Sequence, residues 1–389
     1  MMERRQIVKL WKRGDAGPLI TLVRVEGSSY RQPGARLLLG SARHAGSAGH
    51  LGSGEATYAG TISGGCLEAA VVRKAAWFTR DGAATERYAM SFDDTAEIPF
   101  GLGCGGTVTL LFERLDTPEG EALMHALETA LDGDESTVIT FLPGGGRTLR
   151  RLVLRTSGPR AGETLFASTG LSPEKIACAR LLVPGESYEG RFVERLSAPQ
   201  KLYVVGAGDD AKPLVRMASL LGWSVIVADG RSQLARAERF PEAERVVLLA
   251  PHGFWDGALA CGQNDAVVLM SHSYEQDRDA LTAMIPRAPR YLGLLGSRHR
   301  SSLLISEAAA ALGRSVESCC AGIFAPVGLH LGGDGPEAIA LAVVAEIQAI
   351  CNGLGGNAGR LSASQVRTYV EQGDRARYLQ TQCALENAS

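Results

Sequence analysis

The segment from Leu202 to Asp229 limits what this chain can fold into more than any other part of it. Leu202-Tyr203-Val204-Val205 is a short apolar run entering Gly206-Ala207-Gly208-Asp209-Asp210-Ala211, a G-x-G-x-x-A turn. In such a turn the first glycine permits the tight bend and the second lets a phosphate approach the backbone. The small third residue lets helix and strand pack closely. The helix that follows presents free N–H groups and a positive dipole end to an anion. An acid is expected ~20 residues on, at the end of the second strand, where it takes ribose hydroxyls. Asp229 stands there, directly after Val225-Ile226-Val227-Ala228. This order makes Gly206, Gly208 and Asp229 candidate cofactor-binding residues, for NAD(P) or another nucleotide. A purely structural relic of a nucleotide-binding turn is the alternative. Asp209 and Asp210 place two negative charges where a pyrophosphate would dock, and capping of the helix is the plainer reading of them. Pro213 falls in the first helical turn, where proline is tolerated.

Strand and helix patterns alternate over residues 198–355, the mark of a parallel sheet with crossover helices. Strands are expected at Lys201–Val205, Ser224–Ala228, Arg245–Leu249, Ala266–Met270 and Arg290–Leu295. Helices are expected at Lys212–Leu221, Asp277–Ile285, Arg298–Leu312 and Pro336–Ile350. The expected fold is α/β: a C-terminal Rossmann-like doubly wound parallel sheet plus a separate N-terminal strand-rich α+β domain. Open parallel sheets bind ligands at the C-terminal ends of their strands. Two further segments lie there, Ser271-His272-Ser273 and Gly296-Ser297-Arg298-His299-Arg300. Ser271, His272, Ser297 and Arg298 are therefore candidate ligand contacts. A helix cap at Ser297 with solvated basic residues is the plainer reading of the second.

Residues 1–115 read as a first domain, 116–197 as a middle region or spacer, and 356–389 as a polar C-terminal tail. Residues 41–57 are small and aperiodic, so His44 and His50 read as solvated loop histidines rather than metal ligands. The 47 glycines in 389 residues exceed the ordinary ~7% share and imply many tight turns or close ligand approach. Two of those turns carry thiols. Ser63-Gly64-Gly65-Cys66-Leu67-Glu68 puts Cys66 just before a helix, where the dipole favours thiolate. Gly103-Cys104-Gly105-Gly106 gives Cys104 open backbone on both sides. Thiolates are soft ligands suited to transition metals or sulfur chemistry. The other six cysteines form no C-x-x-C and no secreted disulfide pattern. A net charge of −2 favours neither nucleic acid nor an anionic membrane as partner. With no apolar leader or membrane-spanning run, a cytoplasmic protein without membrane insertion is expected.

Several motifs in order resemble the XdhC/CoxI family. In the first half they are Gly27-Ser28-Ser29-Tyr30-Arg31-Gln32-Pro33-Gly34-Ala35, Gly60–Glu68 and Gly101–Gly106. In the second they are Val205–Gly208, Asp229-Gly230-Arg231, Ser271-His272-Ser273, Tyr291–Arg298 and Pro326-Val327-Gly328-Leu329. The resemblance spans roughly residues 15–115 and 198–352. It implies an accessory protein of molybdenum hydroxylases such as xanthine dehydrogenase or carbon monoxide dehydrogenase. Such a protein binds the molybdenum cofactor (molybdopterin or its dinucleotide form), protects it during sulfuration and delivers it to the apo-enzyme. Implied partners are the apo molybdenum hydroxylase and a cysteine desulfurase, with a homodimer as the assembly and no turnover of the protein's own. Cys66 and Cys104 would face the metal, and Gly64, Gly65, Gly103 and Gly105 would offer backbone to the pterin. The sequence departs from the family at 41–57, at Asp209-Asp210 where many relatives carry a histidine, and at His330–Asp334. Two rivals remain. An NAD(P)-dependent oxidoreductase explains the glycine turn but not the cysteine turns, and Arg231 would suit a 2′-phosphate. A nucleotide-sensing docking module would bind nucleotide without molybdenum.

Overall fold

The computed structural model describes residues 1–40, 58–65, 67–89, 106–186, 188–250 and 259–354. The 41–57 segment and the C-terminal tail, both singled out in the sequence, lie outside them. The chain divides after Ala198 into two units.

In the first unit β1 (Ala16–Glu26) pairs antiparallel with β2 (Arg36–Gly40) and β5 (Thr107–Glu113). With β3 (Tyr58–Gly60) and β4 (Ala84–Ala89) they form a five-stranded sheet in the order β3-β2-β1-β5-β4. Side chains alternate across a strand, so both faces of β1 are apolar and both are covered. Ile20 and Leu22 pack under Val71, Ala75 and Phe78 of α2 (Glu68–Phe78). Leu19 faces the other way, into a cluster with Ile7 and Val8 of α1 (Met2–Lys12) and Leu123, Met124 and Leu127 of α3 (Pro118–Leu131). The sequence reading contains no α1, because only Ile7 and Val8 of this charged helix are buried.

Residues 116–197 carry a sheet of their own. β6 (Ser136–Phe141) and β7 (Arg150–Arg155) form a hairpin, flanked by β8 (Thr164–Ala167) and β9 (Arg191–Leu196) in the order β8-β7-β6-β9. Helix α4 (Pro173–Ala179) lies in the β8–β9 connection. A buried ion pair joins the two sheets of this unit. Arg151 on β7 and Glu113 at the end of β5 are each 1% exposed, with Nη1 and Nη2 donating to the two carboxylate oxygens at 3.0 and 3.1 Å. Arg151 Nε donates to Thr140 Oγ1 and Nη1 to the Glu119 carbonyl. The guanidinium thus holds two strands of one sheet, one strand of the other and the start of α3.

The second unit is the expected parallel sheet. β10 (Lys201–Val205), β11 (Ser224–Asp229), β12 (Arg245–Leu248), β13 (Ala266–Leu269) and β14 (Tyr291–Leu294) stand in the order β12-β11-β10-β13-β14, every pair parallel. Helices α5 (Ala211–Leu220) and α9 (Pro336–Cys351) cover one face, α6 (Tyr274–Met284) and α7 (Arg298–Leu312) the other, and α8 (Val316–Cys320) follows α7. The strand order reverses between β10 and β13, which places the ligand crevice of such sheets at their C-terminal ends. Among the described residues no helix is long and apolar enough to cross a membrane.

Removing one partner of a buried ion pair leaves an uncompensated charge. Arg151→Met is expected to lower the stability of the first unit by ~3–5 kcal/mol. Adding Glu113→Leu to that variant is expected to recover most of the loss, read as the midpoint shift in urea unfolding.

Candidate functional site

The turn that leads to Cys66 is shaped by a carboxylate. Glu68, in the first turn of α2, is 6% exposed. Its Oε1 accepts the backbone N–H groups of Ile62 at 3.1 Å and Ser63 at 2.9 Å, and its Oε2 accepts the Ser63 hydroxyl. Ser63 Oγ in turn accepts from the N–H of Leu67 at 3.1 Å and of Gly65 at 3.3 Å. Burial pushes the Glu68 carboxyl up, but hydrogen bonds from Ser63, Thr61 and the backbone outweigh it and leave the group below its ordinary range. An ionised carboxylate at a helix start also complements the dipole.

The backbone this bracing leaves open is Gly64–Gly65. Both glycines are exposed, and Gly65, at φ +107°, has nothing within 4 Å of where a Cβ would stand. The Tyr30 ring lies against Gly64, 3.6 Å from its Cβ position, and is itself 72% exposed. Gly106 presses on the same loop, since a Cβ there would fall 2.0 Å from the Ser28 carbonyl oxygen. The Ser28–Tyr30 segment therefore touches the residues bordering both cysteine turns. Cys66, Gly103, Cys104 and Gly105 lie outside the described residues. Among the described residues no cluster of three or more His, Cys, Asp or Glu side chains is set to hold a metal ion.

In the second unit Gly206 and Asp229 stand at the ends of neighbouring strands. Gly206 has φ +125°, and a Cβ on it would meet the Met270 carbonyl oxygen at 2.4 Å, so only glycine fits between β10 and β13. Asp229 is fully buried. Its Oδ2 accepts from Ala207 N–H at 2.7 Å and Arg231 Nη2 at 2.7 Å, and its Oδ1 from Arg231 N–H at 2.8 Å and Nε at 2.9 Å. Arg231 Nη2 also donates to the Ser271 carbonyl at 3.1 Å. Burial pushes the Asp229 carboxyl up, but the bonds from Arg231 and from the Ala207 and Arg231 backbone prevail and hold it below the usual carboxylate range.

The two aspartates after Gly208 do not cap α5 as expected. Asp210 is at the cap position without a side-chain capping bond. Its Oδ2 instead lies 2.7 Å from His272 Nε2, while Asp209 pairs with Lys212 at 2.7 Å and Arg239 at 3.0 Å. His272 adopts a left-handed backbone, φ +60°, which swings its exposed ring toward Asp210. Behind Asp210 a shallow apolar crevice, with room for about one water molecule, runs between α5, α9 and the ends of β13 and β14, lined by Leu214, Met270, Leu295 and Val343 among others.

Ser271 and Ser297 serve the framework. Ser271 Oγ donates to Asp277 Oδ1 at 2.6 Å, and Ser297 Oγ caps α7 by accepting from Arg300 N–H at 3.2 Å. Arg298 is exposed at the start of α7. The arginine turned toward the sheet is Arg300, absent from the sequence candidates, which donates to the fully buried Asp277 at 2.8 Å. Glu68, Tyr30 and Arg300 were all within motifs the sequence showed. Of these only Glu68 had a local signal, an acid in the first helical turn after a serine-bearing loop.

A model of the XdhC Rossmann domain matches residues 202–347, and one of the XdhC and CoxI family matches residues 10–89. The chain belongs to the XdhC/CoxI family. It is 27% identical over 331 residues to a probable xanthine dehydrogenase component of Bacillus subtilis (strain 168), spanning 85% of this chain and 91% of that protein. It is 25% identical over 341 residues to the "Molybdenum cofactor insertion chaperone PaoD" of Escherichia coli (strain K12), spanning 87% and 84%. A crystal structure described as a xanthine dehydrogenase from Bacillus halodurans superposes with a TM-score of 0.72 at 25% identity, covering 94% of this chain and 99% of that one. The Gly101–Gly106 motif of this XdhC/CoxI protein lies beyond the two matched segments.

A carboxyl lowered in the folded state adds stability that is present above its unfolded value of ~3.9 and is lost as pH falls through its folded value. Asp229→Asn also turns an amide toward donors. It is expected to destabilise the second unit by ~1–3 kcal/mol near neutral pH. The gap to wild type should narrow below about pH 4, as urea midpoints across that range would register.

Proposed function

We propose that this protein binds the molybdenum cofactor, shields it during sulfuration and passes it to an apo molybdenum hydroxylase. The observation that carries the reading is the Gly64–Gly65 turn: open backbone beside the exposed Tyr30 ring, braced by ionised Glu68, and leading directly to a cysteine. The similarity across most of the chain to a protein named a molybdenum cofactor insertion chaperone supports it. When bound, the cofactor supplies a metal with dithiolene sulfurs, a pterin and a phosphate.

The chain's own groups match those parts. Gly64 and Gly65, with Gly103 and Gly105 in the second turn, offer open backbone to a pterin edge. Cys66, beside the start of α2, offers the better thiolate to the metal or its sulfido group, and Cys104 a second ligand or a sulfur relay. Glu68 holds the Ile62 and Ser63 backbone from which the turn starts. In the second unit, an anionic group is held at the exposed Arg298, beside the Ser297 cap and next to the strand end that carries Ser271 and His272. An apo hydroxylase such as xanthine dehydrogenase is the recipient, and a cysteine desulfurase the sulfur source.

Protein purified from a host that makes the cofactor is expected to carry molybdenum and pterin together, by metal analysis and fluorescence of the oxidised pterin. It should raise the activity of an apo hydroxylase without turnover of its own. Cys66→Ala should cut metal retention ~10-fold or more, the scale on which even outer-shell partners of a metal act. A Cys66→Ala/Cys104→Ala protein that retains and transfers cofactor at wild-type level would remove the thiols from the mechanism.

A further inference from the structure

A dinucleotide fold holds its cofactor at two points. A phosphate rests on bare backbone over the second glycine at the helix start, and the acid ending the second strand takes the ribose hydroxyls. In this chain its own groups fill both points. A Cβ built on Gly208 would lie 2.4 Å from Asp210 Oδ1, so the carboxylate covers the backbone that the second glycine should leave bare. His272 holds it there through a 2.7 Å contact to Oδ2, and no capping bond explains its position. Asp209 adds a second negative charge, anchored by Lys212 and Arg239.

The ribose point is equally occupied. A carboxylate offers about four lone-pair positions. Asp229 has spent them on Ala207 N–H and three Arg231 donors. The guanidinium suited to a 2′-phosphate is committed to Asp229 and the Ser271 carbonyl. The residues present do not fit a nicotinamide dinucleotide, although the fold and the glycine pattern both suggest one.

We infer that Asp210 is a specificity-determining residue, a resident anion that excludes phosphate-bearing dinucleotides from the glycine turn of this unit. The inference concerns the second unit alone and does not rest on the thiols of the first. It makes the turn a structural element whose anion place is closed by the chain's own carboxylate. The neighbouring apolar crevice carries only that carboxylate at its charged edge.

The test is calorimetric titration of the full-length protein with NADH and with inorganic pyrophosphate. Wild type is expected to show no saturation by either at millimolar concentration. Asp210→Ala should bind pyrophosphate at least tenfold more tightly than wild type. Asp210→Asn, which keeps the shape and a polar contact for His272 but loses the charge, should fall between them. Asp209→Ala removes the same charge one residue away and frees Lys212 and Arg239 without uncovering Gly208, and should gain clearly less than Asp210→Ala. Micromolar NADH binding by wild type would overturn the inference. So would equal or equally absent pyrophosphate binding in wild type and both Asp210 variants, or the same gain from Asp209→Ala.

Discussion

Two buried aspartates set the C-terminal edge of the parallel sheet. Asp229 ties the end of β11 to the Ala207 N–H at the end of β10, and through Arg231 to the Ser271 carbonyl beyond β13. Asp277 ties Ser271 to Arg300, which also donates to the Leu295 carbonyl beyond β14. Four strand ends are thus linked by two side chains with no exposed surface. Charges so buried persist only when nearly every lone pair is matched, which is why each aspartate gathers several donors. The loops that carry Asp210, His272 and Ser297 inherit their positions from this arrangement.

The first unit uses the same device for a different end. Glu68 draws the Ile62 and Ser63 N–H groups around itself, and the bend that results turns Gly64 and Gly65 outward. At the parallel sheet the carboxylate-braced turn is closed by its own neighbour, Asp210. At the cysteine turn nothing among the described residues occupies the space over Gly65. Among the described residues one turn is uncovered and the other filled, although both are glycine-rich loops at helix starts. A Rossmann domain therefore does not decide by its fold what this unit binds; the side chains placed on its loops do.

The buried Arg151–Glu113 pair has a further consequence. It makes the sheet of residues 116–197 part of the same packed unit as the sheet that bears the cysteine turns, since β5 ends in Glu113 and begins just after Gly106. A strand anchored at one end by an ion pair offers a fixed footing for the loop at its other end.

Local pattern was enough for the parallel sheet. Val204, Val227 and Val268 sit in short apolar runs, and Ser273 and Ser297 precede their helices as capping residues, all of which neighbouring residues dictate. The need for glycine at 206 was legible for the same reason. Charged α1 and the short strand β4 were not, because their burial comes from elements distant in the chain, and β8, mostly exposed, carries no apolar pattern. Nor could the sequence show that Asp229 would be spent on Arg231 and Ala207, that Asp210 would lie over Gly208 with His272 against it, or that Arg300 rather than Arg298 would turn inward. Sequence alone determined which elements form, since periodicity and capping act over a few residues. Tertiary structure alone decided which carboxylates are free and which are satisfied, since a hydrogen-bond partner far along the chain is chosen by packing and leaves no local trace.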